Sequence, residues 1–277
     1  MSRGFPPRAN ADGFATEAKK HLGQNFLHEK GVIAKIVQAI DPQPGDEIVE
    51  IGPGQGALTF PLLQRHGALT AIEFDRDLHS PLQAAARAHG ALRLVEGDVL
   101  GVDFSALAAE LAPADGRIRL VGNLPYNLSS PILFHALDHA GAIRDMHFML
   151  QKEVVERMAA GPGSKVYGRL SVMLQAYCAV TPLFTVPPGA FRPAPKVDSA
   201  VVRLVPKPAE RIEVADRTLF AHVVRAAFGQ RRKTLRNALQ GMADAPAIEA
   251  AGLRADARAE QVEVAGFIRL ANLLASR

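Results

Sequence analysis

Short apolar runs alternate with amphipathic segments through the first two-thirds of the chain, and this alternation limits the possible folds more than any other feature. The runs DEIVEIG, ALTAIEF, ALRLVEGD, IRLVGN and MHFMLQ have the length and composition of buried strands. Segments with the helical period separate these runs, and a further one, EKGVIAKIVQAI, precedes the first. Strand–helix alternation of this kind predicts an α/β fold, in which helices cover both faces of a mostly parallel sheet.

The pattern changes in the last third of the chain. A turn-rich span from Pro182 to Pro208 contains one further predicted strand, SAVVRLV, and the sequence from about Asp216 onward is helical. We therefore predict a disordered leader over residues 1–17, an α/β domain over residues 18–207 and a small all-helical domain over residues 208–277.

The net charge of +4 is unevenly distributed between these parts. Residues 182–277 contain 15 Lys and Arg against 9 Asp and Glu, a net of +6, whereas residues 1–181 contain 17 against 19. A basic part joined to a near-neutral body indicates a polyanionic partner.

Several classes of protein are excluded by what the sequence lacks. It contains no apolar stretch of membrane-spanning length and no secretory signal. The single cysteine, Cys178, lies in the apolar helical pattern SVMLQAYCAV, which predicts a packed thiol and leaves no internal disulfide or CxxC metal site. We expect a cytoplasmic monomer that holds no metal and contacts no membrane.

A glycine-rich turn, EIGPGQGALT, follows the first strand of the predicted sheet and opens a helix. Gly52, Gly54 and Gly56 allow a sharp turn and a close approach of ligand to backbone. Glu73 ends the second strand, where a carboxylate can hold ribose hydroxyls, and Asp98 follows the third, where a carboxylate can accept from an adenine amino group. Together they resemble the S-adenosylmethionine (SAM) site of Rossmann-like methyltransferases. Taken singly, each could belong to an ordinary turn or surface.

The stretch VGNLPYNLSS leaves a buried strand at the edge where open α/β sheets bind ligands. The exocyclic amine of adenine is a poor nucleophile because its lone pair is delocalised into the ring. The side-chain oxygen of Asn123 and a backbone carbonyl of Leu124 or Pro125 could accept both N–H hydrogens and direct that lone pair at a methyl group. Pro125 stiffens the turn, and Tyr126 offers a stacking face worth about 1–3 kcal/mol per base. A simple turn with a packed tyrosine is the alternative.

Basic residues in the C-terminal part could meet RNA. They cluster at the predicted start of a helix and are Arg231, Arg232, Lys233 and Arg236. They could neutralise phosphates and so position RNA without reading its sequence, although a solvated helix face has the same pattern.

Other polar residues have plainer interpretations. His135 and His139 lie four residues apart but have no evident third ligand, so we expect no zinc site. Asp75 and Asp77 are interpreted as solvated, with Asp75 capping the next helix.

Seven segments in order resemble the bacterial small-subunit (16S) ribosomal RNA adenine N6-dimethyltransferase family. They are KKHLGQNFL, EIGPGQGALT, AIEFD, EGDVL, GNLPYNLSSPILF, FRPAPKVDSAV and AFGQRRKTLRNAL, and they extend over nearly the whole chain after the leader. The resemblance implies SAM-dependent N6,N6-dimethylation of two adjacent adenosines in the 3′-terminal hairpin loop of small-subunit rRNA, within the immature 30S subunit. Residues 18–207 would be the methyltransferase domain, and residues 208–277 would bind RNA.

The same resemblance implies roles for individual residues. Gly52 would lie against the methionine part of SAM, and Asn123 would stand where cofactor and target meet. Phe191 would pack on the target base opposite Tyr126. The implied cofactor-binding set is Asn25, Leu27, Gly52, Gly54, Glu73, Asp98 and Asn123.

Three alternatives remain open from the sequence. The related macrolide-resistance methyltransferases act on large-subunit rRNA and share the SAM-site motifs. Similar Asn–Pro–Tyr turns occur in enzymes that methylate protein glutamine or DNA. A third possibility, from a different class, is a ribosome-assembly or transcription factor that binds RNA or DNA without catalysis.

Overall fold

A computed structural model of the chain describes Lys19, residues 24–230 and residues 232–277. Its helices and strands are, in chain order, β1 (Phe26–Leu27), α1 (Lys30–Ile40), β2 (Ile48–Ile51), α2 (Thr59–His66), β3 (Ala68–Glu73), α3 (Arg76–Ala86), β4 (Ala91–Glu96), α4 (Phe104–Leu111), β5 (Ile118–Asn123), α5 (Ser129–Asp138), β6 (Ile143–Gln151), α6 (Lys152–Ala159), α7 (Arg169–Tyr177), β7 (Cys178–Val186), β8 (Phe191–Arg192), β9 (Ser199–Pro206), α8 (Arg217–Phe228), α9 (Leu235–Ala238), α10 (Ala245–Ala250) and α11 (Val264–Ala275). Among the described residues, no helix is long and apolar enough to cross a bilayer.

The predicted α/β class is confirmed by a seven-stranded sheet in the order β4-β3-β2-β5-β6-β9-β7. The pairs β3–β4, β2–β3, β2–β5 and β5–β6 are parallel. All four residues of β2 and the first five of β5 are buried, as expected for strands covered by helices on both faces.

The division of the chain differs from the predicted single boundary between residues 207 and 208. One compact unit runs to Lys152 and includes Leu183–Arg203, and the other comprises Glu153–Pro182 and Leu204–Arg277. Residues Glu153–Pro182 belong to the second unit because they contain α7, which packs against α8 and α11. The strands β7 and β9 continue across these limits.

The helix predicted over SVMLQAYCAV ends earlier than its apolar pattern suggested. Helix α7 stops at Tyr177, and Cys178 begins β7. The thiol is buried, as predicted, and its burial raises the pKa of Cys178 to about 12, although the charge of Lys207 opposes the rise. A mostly apolar segment therefore concealed a helix-to-strand boundary.

The parallel strands bring chemically useful residues to one edge of the sheet. Strand β2 runs directly into the glycine turn, β3 ends at Glu73, and β5 ends at Asn123. Their registers align these ends, since Ile51 pairs with Ile72 and Glu50 with Val121. A ligand site at this carboxyl edge is the expected consequence.

Candidate active site

The residues predicted for cofactor and target converge on one cavity in the first unit. It is bordered by the chain after β2, β3, β4 and β5 and by the segment that contains β1. Ten residues singled out from the sequence line it, namely Asn25, Leu27, Gly52, Gly54, Glu73, Asp98, Asn123, Leu124, Pro125 and Tyr126. A ligand held by the glycine turn would therefore share one space with the Asn–Leu–Pro–Tyr turn.

The glycine turn presents bare backbone to this cavity. Gly52 and Gly54 have φ values of +66° and +57°, a region that favours glycine. A Cβ at Gly52 would have no neighbouring atom within 4 Å, so the backbone there borders open space. A Cβ at Gly54 would lie 3.1 Å from the Phe26 ring. The turn thus allows close approach of a ligand at Gly52 and close packing at Gly54.

The Glu73 carboxylate is oriented by the surrounding backbone. Its Oε2 accepts the Gly54 N–H at 3.1 Å, and its Oε1 accepts the Asp75 N–H at 2.7 Å. Burial raises the pKa of Glu73, and these two hydrogen bonds oppose the rise. Each carboxylate oxygen has more than one acceptor site, so the group can also accept from sugar hydroxyls.

Glu50, which the sequence analysis did not single out, also lines the cavity. It is 2% exposed, and the Thr59 hydroxyl donates to its Oε2 at 2.6 Å. Burial raises the pKa of Glu50 to about 8; the Thr59 hydrogen bond opposes this rise, and the charge of Glu73 adds to it. Glu50 is therefore largely protonated at neutral pH. In the sequence, Glu50 is the single polar residue of the buried strand IVEI, and this could have indicated a functional side chain.

The cavity wall near Asp98 combines a carboxylate with an exposed aromatic ring. Asp98 is exposed, and its Oδ1 accepts the Leu100 N–H at 3.0 Å, which caps a short helical turn. Phe74, directly after Glu73, lines the same cavity and is 61% exposed. Phe74 was not predicted from the sequence, although an aromatic residue stands next to the candidate ribose acid there. Asp98 and Phe74 together offer a hydrogen-bond acceptor and a flat apolar face to a heterocyclic ligand.

The orientation of the Asn123 carboxamide is set by a main-chain contact. Its Nδ2 donates to the Asn25 carbonyl at 3.0 Å, so the side-chain oxygen is the atom left to face a substrate. The next residue is also held, because the Leu124 N–H donates to the Met149 carbonyl at 3.1 Å.

The Pro125 carbonyl is already occupied within the turn. It accepts the Leu128 N–H at 3.0 Å and the Ser129 hydroxyl at 3.1 Å, which uses both of its lone pairs. Of the two carbonyls considered from the sequence, that of Leu124 is therefore the better candidate to accept from a target amine.

Tyr126 lines the cavity, but Phe191 does not. The Tyr126 phenol is half-buried and lies 2.7 Å from the Ser199 hydroxyl. Burial raises the pKa of Tyr126, and the Ser199 hydrogen bond opposes the rise. Phe191 is 2% exposed within the apolar core and pairs with Leu27 in the small β1–β8 sheet. The predicted packing of Phe191 on a target base is therefore not available in this conformation.

The N-terminal segment is tied to the end of β3 through Asp75. Lys19 Nζ donates to Asp75 Oδ1 and Asp77 Oδ2, both at 2.6 Å, and Gln24 Nε2 donates to Asp75 Oδ2 at 3.0 Å. Asp75 caps α3 as predicted, but it is 6% exposed rather than solvated. Burial alone would raise its pKa, yet these hydrogen bonds hold the pKa of Asp75 below its ordinary value. Residues 20–23 of the KKHLGQNFL motif lie outside the described residues.

The candidate RNA-binding residues belong to the second unit. Arg232 and Lys233 are exposed in the turn before α9, and Arg236 is exposed within it. Of the three described residues of the cluster, Arg232 and Lys233 therefore lie on a turn, and only Arg236 lies on the four-residue helix α9. Arg231 lies outside the described residues.

The histidine pair has local partners of its own. His135 Nε2 lies 2.8 Å from the Val102 carbonyl, and His139 Nδ1 lies 3.0 Å from the Ser105 hydroxyl. In the described part of the chain, no group of three or more His, Cys, Asp or Glu side chains could hold a metal ion.

Known proteins resemble this chain in sequence and in fold. The family model for ribosomal RNA adenine dimethylase matches residues 15–276. The chain belongs to the ribosomal RNA adenine dimethylase family. Proteins named ribosomal RNA small subunit methyltransferase A are 70% identical in Xanthomonas campestris pv. campestris (strain 8004) and 69% identical in Xanthomonas axonopodis pv. citri (strain 306). Each alignment spans 261 residues, 94% of this chain and 97% of the relative.

Two solved structures of methyl-transferring enzymes have the same fold as this family member. A dimethyladenosine transferase from Plasmodium falciparum aligns with a TM-score of 0.75 and 26% identity, over 88% of this chain and 95% of that one. The 23S rRNA methyltransferase ErmE aligns with a TM-score of 0.69 and 26% identity, over 91% of this chain and all of that one. The chain is thus an rRNA adenine dimethylase by family and a Rossmann-like methyltransferase by fold.

Proposed function

We propose that this protein transfers methyl groups from SAM to N6 of two adjacent adenosines in the 3′-terminal hairpin loop of small-subunit rRNA, within immature 30S subunits. The single observation that carries the proposal is the Asn123 carboxamide, whose nitrogen is held by the Asn25 carbonyl in the cavity that also contains Glu73 and Asp98. The names of the 70% and 69% identical relatives support the small subunit as the source of the substrate.

The residues around the cavity fit SAM. The open space beside Gly52 suits the methionine part, and the oriented Glu73 carboxylate suits the ribose hydroxyls. Asp98 would accept from the adenine amino group, while the exposed ring of Phe74 would cover a face of that base. When bound, SAM supplies a methyl group on a positively charged sulfur, which is a strong electrophile.

Two acceptors would prepare the target amine. In the first transfer, the Asn123 side-chain oxygen and the Leu124 carbonyl would each accept one N6 hydrogen and turn the nitrogen lone pair out of the base plane. In the second transfer, one of them would accept the single N6 hydrogen that remains. Catalysis in this scheme comes mainly from orientation, because the electrophile is already activated. A dedicated general base is unnecessary, since the methylated nitrogen loses its proton readily to water.

The target base must leave its loop stack to reach these acceptors. Tyr126 would receive the unstacked adenine on its ring face, and base–aromatic stacking contributes about 1–3 kcal/mol. Unstacking in a hairpin loop costs less than opening a base pair, which favours a loop adenosine as the substrate. Phe191 has no part in this scheme because its side chain is enclosed in the core.

The basic cluster of the second unit would hold the RNA backbone. Replacing Arg232 and Lys233 together by alanine should weaken binding of a hairpin RNA and reduce the slope of log K against log salt by about 1.5, because two phosphate contacts are lost. Fluorescence anisotropy between 50 and 300 mM salt (on the order of the range over which such contacts weaken) would measure both effects. The matched control replaces Lys35 and Arg87, two exposed basic residues of the first unit, and should leave the slope unchanged. An unchanged slope in the Arg232/Lys233 variant would show that other residues form the RNA-binding surface.

Direct methylation of ribosomal subunits tests the proposed reaction. Purified protein should incorporate labelled methyl groups from SAM into immature 30S subunits, and nucleoside mass spectrometry should identify N6,N6-dimethyladenosine. Parallel reactions with 50S subunits and with DNA distinguish the alternatives. Modification of the large subunit alone would favour the activity named for ErmE, and tight RNA binding without any methyl incorporation would favour a non-catalytic binding protein.

A further inference from the structure

Ser199 has no part in the scheme above, yet its hydroxyl contacts the aromatic ring that the scheme depends on. It is the first residue of β9 and is 0% exposed. Its Oγ lies 2.7 Å from the Tyr126 phenolic oxygen, and either group can be the donor. The contact joins the cavity wall to a strand of the central sheet, across 73 positions of sequence.

Ser199 is held by burial and by a backbone hydrogen bond of its neighbour. The preceding residue, Asp198, accepts the Lys152 N–H through its carbonyl at 2.9 Å, which attaches the residue before β9 to the start of α6. The Ser199 side chain itself is enclosed and cannot follow the phenol into solvent. A hydrogen bond to this hydroxyl therefore fixes the position of the Tyr126 phenolic oxygen.

Without this contact the Tyr126 side chain could rotate about χ1 and χ2. Its backbone lies in a turn closed by the two hydrogen bonds to the Pro125 carbonyl, but the ring is only half-buried. Rotation about χ1 and χ2 would change the plane that meets the base, and stacking requires a defined plane. A hydrogen bond to the phenolic oxygen restrains χ1. Because that oxygen lies on the χ2 axis, χ2 is restrained through the direction of the hydrogen bond, which favours the plane of the ring.

We propose that Ser199 is a positioning residue for methyl transfer, acting by holding the Tyr126 ring in the plane on which the target adenine stacks. The proposal rests on the proposed function, because it takes Tyr126 as the stacking face. Ser199 has no contact with substrate or cofactor in this proposal. The effect of replacing Ser199 should therefore depend entirely on its hydrogen bond with the Tyr126 phenolic oxygen.

A double-mutant cycle tests this route. Ser199→Ala and Tyr126→Phe each remove the hydrogen bond and should each lower kcat by roughly 3- to 10-fold, the usual effect of one such bond. The double variant should be within about twofold of either single variant, since the same bond cannot be lost twice. The KM for SAM should stay within about twofold of wild type in all three, which also shows that the variants are folded.

Two outcomes would overturn the proposal: an unchanged kcat in Ser199→Ala, or a double variant whose loss is the product of the two single losses. Ser171→Ala is the matched control, because Ser171 is also 0% exposed and its hydroxyl donates to the Arg157 carbonyl in the second unit. Combined with Tyr126→Phe, it should show no coupling.

Failure of the positioning role is distinguishable from failure of the proposed function. Tyr126→Ala removes the stacking face itself and should lower kcat by a further tenfold or so beyond Tyr126→Phe, in keeping with the stacking energy. Equal rates for Tyr126→Ala and Tyr126→Phe would reject Tyr126 as the stacking face. Absence of methyl transfer by the wild-type protein would instead reject the reaction.

Discussion

Asn123→Ala should lower kcat for adenosine methylation by about 10²- to 10³-fold, the usual cost of removing one acceptor or donor aligned with the transition state. The reason is geometric. With its nitrogen held by the Asn25 carbonyl, the carboxamide can offer its oxygen to only one side, and the target amine would lose the acceptor that orients its lone pair. Single-turnover kinetics at saturating SAM would measure the loss.

The affinity for SAM should change much less in the same variant. Glu73, Asp98 and the glycine turn are unaltered, so we expect the Kd for SAM from calorimetry to rise by no more than about threefold, roughly the effect of one exposed hydrogen bond. Asn272→Ala is a matched control, because it removes a carboxamide that accepts the Ala215 N–H and donates to the Glu213 carbonyl in the second unit. It should turn over at the wild-type rate. Turnover by Asn123→Ala within tenfold of wild type, or SAM affinity lost in parallel with turnover, would contradict the assigned role.

The sheet and the residues that meet at its carboxyl edge were predictable because their signals are local. Buried parallel strands produce short apolar runs, and the carboxyl ends of such strands meet at one edge whatever the details of packing. The glycine turn, Glu73, Asp98 and Asn123 could therefore be assigned to one edge before their distances were known, and they line one cavity.

Side-chain burial and hydrogen-bond partners depend on tertiary contacts and could not be predicted from local sequence patterns. The resemblance placed Phe191 on the target base, but Phe191 pairs with Leu27 and its ring is buried in the apolar core. Asp75 looked solvated, but Lys19 and Gln24 cover it from a distant segment. The choice between the Leu124 and Pro125 carbonyls needed the two hydrogen bonds that occupy the latter.

The limits of the second unit also depend on long-range packing. Helix α7 ends before the basic C-terminal part begins, and its own apolar pattern does not reveal its partners. Only its packing with α8 and α11 assigns it to that unit. Composition identified the basic part, whereas the helices that complete the unit needed the structure.

Glu50→Gln should stabilise the cofactor-free protein, and the gain should grow as the pH rises from 5 to 8 (roughly the interval between the two pKa values of Glu50). Burial raises the pKa of Glu50 to about 8, while an unfolded glutamate titrates near 4.5. Between those values the unfolded chain releases a proton that the folded chain retains. The stability that the protonated Glu50 contributes is therefore fully present below the lower pKa and is lost as the pH rises toward the upper one.

The size of this effect follows from the linkage between proton binding and folding. The difference in unfolding free energy between Glu50→Gln and wild type should grow by at most about 1.4 kcal/mol per pH unit, or roughly 3–4 kcal/mol over the whole interval. Urea denaturation at several pH values would measure it. Glu47→Gln, the same exchange at a part-exposed side chain, controls for the loss of one carboxylate. If the wild-type and Glu50→Gln stabilities run parallel across this interval, then Glu50 is ionised in the folded protein, and the cavity carries one more negative charge than we infer.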